Sequence, residues 1–387
     1  MSNFIFHSRP QAEADWTCQR YRFYAYDYDE GIVKDNLTIE LFVGSVVHDA
    51  LAAIATQYKA DKKVDIDSIT KVSKEHVFTT LKDYAGDVPE ESAEYLQALE
   101  QSSLVEGLIR GYYKSVWPNL IAQYPEIIGI EHECIFPHDE LGALNPKGPF
   151  VFMAKPDLIL SNGDDWIYVE FKSTSTKKIE WINSWRTAMQ VHATAKAIEF
   201  TLNKVVSGTI IQGLYKGSSN YGKFSSQLVY AYYNKGNPPF SKEAISHEFK
   251  SGLKRTPIWN IEGGMSSWVN KIPSEVLSEQ FPQTPLISIN DAMCDDFFHQ
   301  RALREQSISK IIPFLKDPAT QESARKLILN THYPQSFSQC SQAWGKECPF
   351  YRICHGPAGV DPLSFGFIQK NREHQEAYKE LATKLLG

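Results

Sequence analysis

Two charged tripeptides on either side of one turn signal constrain this chain more than any other feature. Lys155-Pro156-Asp157 opens a short apolar run, and Glu170-Phe171-Lys172 closes the next one. Asn162-Gly163 lies between the runs, and Asn-Gly in this position predicts a β-hairpin. With 161 paired to 164, residue 157 pairs with 168. Asp157 and Glu170 then become diagonal neighbours on one sheet face, with backbones roughly 7–8 Å apart.

This spacing suits metal chemistry. Two carboxylates on one face can hold Mg²⁺ or Mn²⁺, which prefer oxygen ligands. A cation that bridges to a phosphate stabilises the charge of the transition state and acidifies bound water, and Lys172 can orient that water. Ile167, Val169 and Phe171 alternate with these polar residues and predict a core on the opposite face. The alternative interpretation is a solvated strand face with no metal.

The order of these residues resembles the PD-(D/E)XK nuclease superfamily, and within it the RecB-type iron–sulfur exonuclease branch. The chain is similar to CRISPR-associated adaptation nucleases and phage exonucleases. The resemblance implies a restriction-endonuclease-like fold, a mixed β-sheet core flanked by helices and helical insertions. It also implies that Asp157 and Glu170 bind the cation together with the Phe171 backbone carbonyl, and that Lys172 is catalytic.

Three further positions follow from the same resemblance. Gly44-Ser45-Val46-Val47-His48 matches a G-x-x-x-H helix motif, which implies His48 as a metal ligand, although such a histidine is otherwise usually a core residue. Gln190 occupies the place of a catalytic Gln, but Thr194 stands where the branch has Tyr. Some relatives add a Glu on the preceding strand, and we favour Glu131 over Glu133.

Six cysteines occur in a chain without a secretion signal, so disulfides are not expected. In that branch, one N-terminal cysteine and three C-terminal ones hold a [4Fe–4S] cluster that joins the chain ends. Four cysteines of this chain resemble that set: Cys18, Cys340, Cys348 and Cys354. The gap between Cys340 and Cys348 is wider than in those relatives. Four thiolates equally suit a structural Zn²⁺. Cys134 and Cys294 are interpreted as buried thiols.

Substrate contacts are less clearly marked. The polar residues after the catalytic strand suit phosphate groups, with a plain surface loop as the alternative: Ser173, Thr174, Lys177 and Lys178. The run 20–24 either packs beside the cysteines or stacks on unpaired bases. The net charge of −6 does not exclude nucleic acid, because carboxylates around a metal hide a basic channel in the sum. No stretch reaches the length of a membrane span, and we expect a cytoplasmic protein.

The pattern predicts one elaborated α/β domain over 1–387. It contains a helical insertion at 50–125, a catalytic core at 127–202 and a cysteine segment at 336–356 that pairs with Cys18. The predicted strands are 127–136, 150–160, 165–172, 205–215 and 227–233. The predicted helices outside the insertion are 181–202, 291–330 and 369–386.

The expected function is metal-dependent hydrolysis of DNA phosphodiester bonds. The resemblance implies an exonuclease acting on single-stranded ends in recombination, repair or phage DNA processing, with a helicase or recombination partner possible. An RNA or structure-specific endonuclease on the same scaffold is an alternative. A non-catalytic DNA-binding or assembly subunit, or a zinc-stabilised protein, belongs to other classes.

Overall fold

A computed structural model of the chain has the mixed α/β architecture that the sequence predicts. It describes residues 4–34, 38–86, 89–90, 92–175, 179–216, 219–220, 223–224, 230–232, 255–257, 263–340, 347–355, 362–370 and 373–386. The helices are α1 Arg9–Thr17, α2 Gln19–Arg22, α3 Ile39–Asp61, α4 Ile66–Ala85, α5 Ala93–Ser115, α6 Trp117–Gln123, α7 Ile179–Ser184, α8 Met189–Leu202, α9 Gly264–Lys271, α10 Ser274–Ser278, α11 Asp291–Lys316, α12 Glu322–His332, α13 Tyr351–His355 and α14 Glu373–Leu386.

The strands form small sheets, two of which build the centre of the protein. They are β1 Ile5–Ser8, β2 Ile32–Lys34, β3 Glu126–Ile130, β4 Cys134–His138, β5 Phe150–Ala154, β6 Leu158–Ser161, β7 Trp166–Thr174, β8 Gly208–Tyr215, β9 Ser219–Asn220, β10 Lys223–Phe224, β11 Tyr230–Tyr232, β12 Arg255–Pro257 and β13 Phe367–Gln369. The central sheet has the order β3-β6-β7-β8, and a second sheet has the order β1-β5-β4.

The central sheet is covered on both faces. In this sheet β6 runs antiparallel to β3 and β7, whereas β8 is parallel to β7 and is reached through α8. Apolar residues of α3, α4, α5 and α6 pack on the face that carries Ile167, Val169 and Phe171, as the alternation predicts. Tyr168 on the other face is also fully buried, among residues of α8 and α11. The solvated-face interpretation of β7 is therefore wrong.

Three predicted elements are each broken into two. The strand predicted over 127–136 divides into β3 and β4, which belong to different sheets. Glu131, at the break, has a φ of +46°, in the left-handed region that interrupts a strand. The strand predicted over 150–160 divides into β5 and β6 at Pro156, which has no N–H for a sheet ladder. The helix predicted over 181–202 divides into α7 and α8.

The hairpin between β6 and β7 forms, but with a longer turn than predicted. Ser161 pairs with Trp166 and Leu158 pairs with Val169, so four residues rather than two make the turn. The Asn162 side chain accepts a 2.8 Å hydrogen bond from the Asp165 N–H and stabilises it. The register is shifted by two residues, which keeps every side chain on its predicted face. If this register is continued by one residue beyond the pair of Leu158 and Val169, Asp157 lies opposite Glu170.

The helices predicted within 50–125 are present, and α11, α12 and α14 confirm the later helical predictions. By length and composition alone, α3 would be apolar enough to cross a membrane. A core helix of a soluble protein has the same composition, and one stripe of α3 packs into the core beneath the central sheet. The predicted strand at 227–233 is described only at 230–232, where β11 pairs with β12.

A buried ion network ties the N-terminal segment to α11. The Arg22 side chain is 1% exposed and donates two hydrogen bonds to Glu305, at 2.7 and 2.8 Å. Arg301 bonds to the same carboxylate and also to Asp15, at 2.8 Å. Arg22 is therefore a structural residue, and its burial contradicts the interpretation that it stacks on bases. Phe23 is likewise buried.

Acid is expected to destabilise the protein through a second buried contact, His7 Nε2 to His138 Nε2 at 2.7 Å. Burial lowers the pKa of both rings, that of His138 to about 4, whereas an unfolded histidine titrates near ~6.5. The unfolded chain therefore binds more protons between these values. Stability present above pH ~6.5 is lost as the pH falls toward 4, by about 2 kcal/mol per histidine at pH 5.

Urea denaturation at pH 7 and pH 5 measures this loss. The double variant His7→Gln/His138→Gln is expected to show a much smaller difference between the two pH values than the wild type. An equal difference in both proteins would show that other groups cause the acid sensitivity.

Candidate metal site

Asp157 lies at the centre of the candidate site, on the turn between β5 and β6. Asp157 is only 8% exposed to solvent. One oxygen, Oδ2, accepts a 2.5 Å hydrogen bond from the Phe171 N–H of β7. The other, Oδ1, lies 3.3 Å from Nδ1 of His48. A carboxylate held at both oxygens has a fixed direction, as a metal ligand requires.

Helix α3 brings His48 to this carboxylate. Gly44 lies one turn earlier on the same face, near β7, where a Cβ would lie 3.6 Å from Oγ of Ser173, an ordinary contact distance, so the structure does not require glycine there. The His48 ring also packs edge-on against Phe171, with ring centroids 5.9 Å apart. Half-buried His48 is thus not a satisfied core histidine, because its Nδ1 faces the Asp157 carboxylate.

Glu131 completes a group of three potential ligands. One ligand atom from each of His48, Glu131 and Asp157 lies within 4.8 Å of the others. The Glu131 N–H donates to the Asp157 carbonyl at 3.0 Å, which fixes the break between β3 and β4 beside the site. Glu131 Oε2 also forms an ion pair with Lys155 Nζ at 3.1 Å. The preference for Glu131 over Glu133 agrees with this geometry.

Glu170 lies beside this group with its own partners. Its Oε2 accepts hydrogen bonds from Lys172 Nζ at 2.7 Å and from Gln190 Nε2 at 3.0 Å. Gln190, on α8, is buried, and its Oε1 has no hydrogen-bond partner among the residues that the structure describes. The predicted residues Glu170, Lys172 and Gln190 are therefore in direct contact. Glu170 is not in the group of three within 4.8 Å.

The pKa values follow from burial and these contacts. Burial raises the pKa of Glu131 to about 7, and the neighbouring Asp157 charge acts in the same direction. Burial also raises the pKa of Glu170, against the effect of Lys172. For Asp157 the bond and charge of His48 outweigh burial and lower the pKa, and Asp157 in turn raises the pKa of His48. Carboxylates crowded in this way favour binding of a cation.

The remaining predicted contacts are only partly described. Ser173 is exposed at the end of β7, beside Gly44. Thr174 is 5% exposed, which argues against direct contact with a phosphate. Lys177 and Lys178 lie outside the described residues.

The four cysteines predicted as ligands line one pocket near the chain ends. Cys18 and the three C-terminal cysteines surround it together with Gln335 and His355. Gln335 Nε2 donates to Cys354 Sγ at 2.9 Å, and the Ser336 N–H donates to Cys18 Sγ at 3.4 Å. Burial raises the pKa of Cys348 and Cys354, and the neighbouring sulfurs add to this. Cys134 and Cys294 are buried elsewhere, as predicted.

Two residues at the metal site carried no signal in the sequence. Lys155 pairs with Glu131, a partner that its position in the tripeptide does not indicate. Tyr112 of α5 is fully buried against Phe171, with ring centroids 5.5 Å apart, and its hydroxyl has no partner. Its position on an apolar helix face gives no hint of a nearby carboxylate.

Glu131→Gln is expected to weaken Mn²⁺ binding about 10-fold or more, because it removes one charged ligand of the group of three. Titration of the isolated protein with Mn²⁺, followed by calorimetry, measures the change. Glu133→Gln is the matched control, since this side chain is outside the group and its loss should leave binding unchanged. If the control weakened binding and Glu131→Gln did not, Glu133 would be the ligand.

No protein-family model matches the chain, and a search of curated proteins finds no match. The function is therefore inferred from the chemistry of the site.

Proposed function

We propose that this protein is a divalent-cation-dependent DNA exonuclease with a restriction-endonuclease-like core. The single observation that carries the proposal is the position of Asp157, which contacts His48 and the Phe171 N–H and lies beside Glu131. The succession α3, β3, β6, β7, α8 and β8 around a mixed four-stranded sheet supports the fold.

The donor set fits a hard cation. His48, Glu131 and Asp157 offer one imidazole nitrogen and two carboxylates within 4.8 Å, and Glu170 lies alongside. The unpartnered Oε1 of Gln190 is a further polar atom that needs a partner. With these ligands Mg²⁺ or Mn²⁺ would supply charge stabilisation at a phosphate and a more acidic water.

The protein's own residues would position the reactants. Lys172 is held by Glu170 at 2.7 Å and is 21% exposed, so its ammonium group reaches solvent beside the carboxylates. There it can orient the attacking water and balance negative charge on the phosphate. Gln190 donates a hydrogen bond to Glu170 and thereby restrains the orientation of this carboxylate.

Burial of the charged groups supports catalysis rather than a purely structural role. Glu170 is 5% exposed and Asp157 is 8% exposed. Burial and the nearby Asp157 charge raise the pKa of Glu170, although Lys172 acts against them, and a bound divalent cation would offset this repulsion.

We further propose that Cys18, Cys340, Cys348 and Cys354 hold a [4Fe–4S] cluster. In a tetrahedral zinc site the sulfurs lie about 3.8 Å apart, given Zn–S bonds near ~2.3 Å. Among the described residues, only His48, Glu131 and Asp157 place three potential ligand atoms within 4.8 Å of one another. No three of the four cysteine sulfurs therefore lie within 4.8 Å of one another. Four cysteines that line one pocket suit a cluster in which each iron takes one thiolate.

Iron, sulfide and zinc analysis of protein purified without oxygen tests the cluster. The expected result is about four irons and four sulfides per chain, both lost in Cys348→Ala. Cys134→Ala is the matched control, because this thiol lies elsewhere in the core. One zinc per chain without iron would overturn the cluster proposal.

The activity test uses single-stranded DNA labelled separately at each end, with Mn²⁺ or Mg²⁺ and a Lys172→Ala control. The expected result is metal-dependent shortening from one end that the control does not show, and the product ladder gives the polarity. Parallel reactions with RNA and with branched DNA separate the exonuclease from the endonuclease alternative. If cluster-containing wild-type protein binds DNA but cuts none of these substrates, the exonuclease proposal is wrong and the non-catalytic alternative is favoured.

A further inference from the structure

Arg9 lies at the edge of the candidate metal site, although it belongs to none of the sequence motifs. Strand β1 runs parallel to β5, with Ser8 opposite Met153. Helix α1 begins at Arg9, and β5 ends one residue after Met153, directly before Lys155-Pro156-Asp157. Both chain segments therefore leave the second sheet at the same end. The Arg9 charge is also among those that act on the Glu170 carboxyl.

The ion pair of Arg9 differs from those of the site lysines. Lys155 and Lys172 each bond to a carboxylate of the site itself. Arg9 Nε instead donates to Glu13 on the next turn of α1, at 2.7 Å, and the two side chains are 30% and 49% exposed. Solvent-exposed i,i+4 ion pairs of this kind contribute little to stability. An incoming anion can therefore replace Glu13 at little cost.

We propose that Arg9 binds a backbone phosphate of the DNA strand next to the bond that is cut, exchanging Glu13 for the phosphate. A guanidinium group suits this role, because it donates two parallel hydrogen bonds to phosphate oxygens. Such a contact positions the strand without reading its sequence. The inference rests on the proposed function, and it assigns the substrate strand to the side of the site where α1 begins.

Arg9→Gln, Glu13→Gln and the double variant test the inference in two assays. The first is binding of fluorescent single-stranded DNA, measured by anisotropy in Ca²⁺ at several salt concentrations. Arg9→Gln is expected to weaken binding about 10-fold and to lower the slope of log K against log salt by about 0.7, the value for one phosphate contact on a single strand. Glu13→Gln is expected to tighten binding, because it frees Arg9, and the double variant should match Arg9→Gln.

The second assay is cleavage in Mn²⁺, where Arg9→Gln should raise KM with little change in kcat and Arg9→Lys should restore part of the loss. Equal thermal midpoints would establish that all variants are folded. Wild-type protein that cleaves DNA while Arg9→Gln keeps its affinity and salt slope would overturn the role of Arg9 alone. Wild-type protein that neither binds nor cleaves would overturn the proposed function, and this inference with it.

Discussion

Asp157→Asn is expected to lower the rate of DNA cleavage by about 10³-fold or more, which corresponds to roughly 4 kcal/mol of transition-state stabilisation. Asp157 contacts both His48 and the Phe171 N–H of β7, and it is one of the three potential ligands that lie within 4.8 Å of one another. The amide lacks the negative charge that a hard cation requires. Single-turnover cleavage of end-labelled DNA measures the loss without interference from product release.

The fold should survive this substitution. The Asn oxygen can still accept from the Phe171 N–H, and its amide can donate to Nδ1 of His48. Without metal, the variant is expected to unfold at a somewhat lower temperature than the wild type, because the lowered pKa of Asp157 means that its charged form stabilises the fold through His48. Added Mn²⁺ should raise the midpoint of the wild type and not that of the variant.

Asp164→Asn is the matched control, since Asp164 is exposed in the turn of the same hairpin. It should leave both cleavage and the Mn²⁺ response unchanged. Full activity of folded Asp157→Asn would remove the chemical basis of the proposal, because no other described side chain joins His48 to β7 in this way.

The hairpin residues of the site were predictable because strand geometry is local. Alternation by two fixes which side chains share a face, and a turn longer by two residues leaves that assignment unchanged. Thus Asp157, Glu170 and Lys172 were placed together correctly even though the predicted register was wrong. His48 could be assigned to the site only through the G-x-x-x-H motif, because the sequence around a histidine on an apolar helix face does not indicate what packs against it.

Other features could not be predicted because they depend on contacts between distant parts of the chain. The breaks at Glu131 and Pro156 place four strands in two sheets, whereas the apolar runs read as two continuous strands. Arg22 and Glu305 are 283 residues apart, and nothing near either residue indicates its partner. Arg9 is brought toward the site only by the pairing of β1 with β5, which no local pattern around Arg9 indicates.

Glu305→Gln is expected to reduce the free energy of unfolding by about 3–5 kcal/mol at pH 7, the usual effect of breaking a buried ion pair from one side. The carboxylate accepts two hydrogen bonds from Arg22 and a further one from Arg301, and the side chains of Arg22 and Glu305 are at most 4% exposed. The neutral amide leaves the buried network one negative charge short, although Arg301 keeps its pair with Asp15 and Arg22 keeps its pair with Asp27. Urea denaturation measures the loss as a lower midpoint at unchanged slope.

The pH dependence of stability and a matched control variant identify the cause of the loss in Glu305→Gln. The two arginines outweigh burial and lower the pKa of Glu305, so its stabilising effect is complete above the unfolded pKa of ~4.3 and disappears as the pH falls below it. The difference in unfolding free energy between wild type and Glu305→Gln should therefore shrink in acid.

Glu376→Gln is the matched control. It breaks an ion pair whose side chains are 51% and 69% exposed and should cost less than ~0.5 kcal/mol. In the cycle with Arg22→Met, the double variant should lose less than the sum of the two single variants, since each removes the same pair. Additive losses would mean that Arg22 and Glu305 stabilise the protein independently of each other.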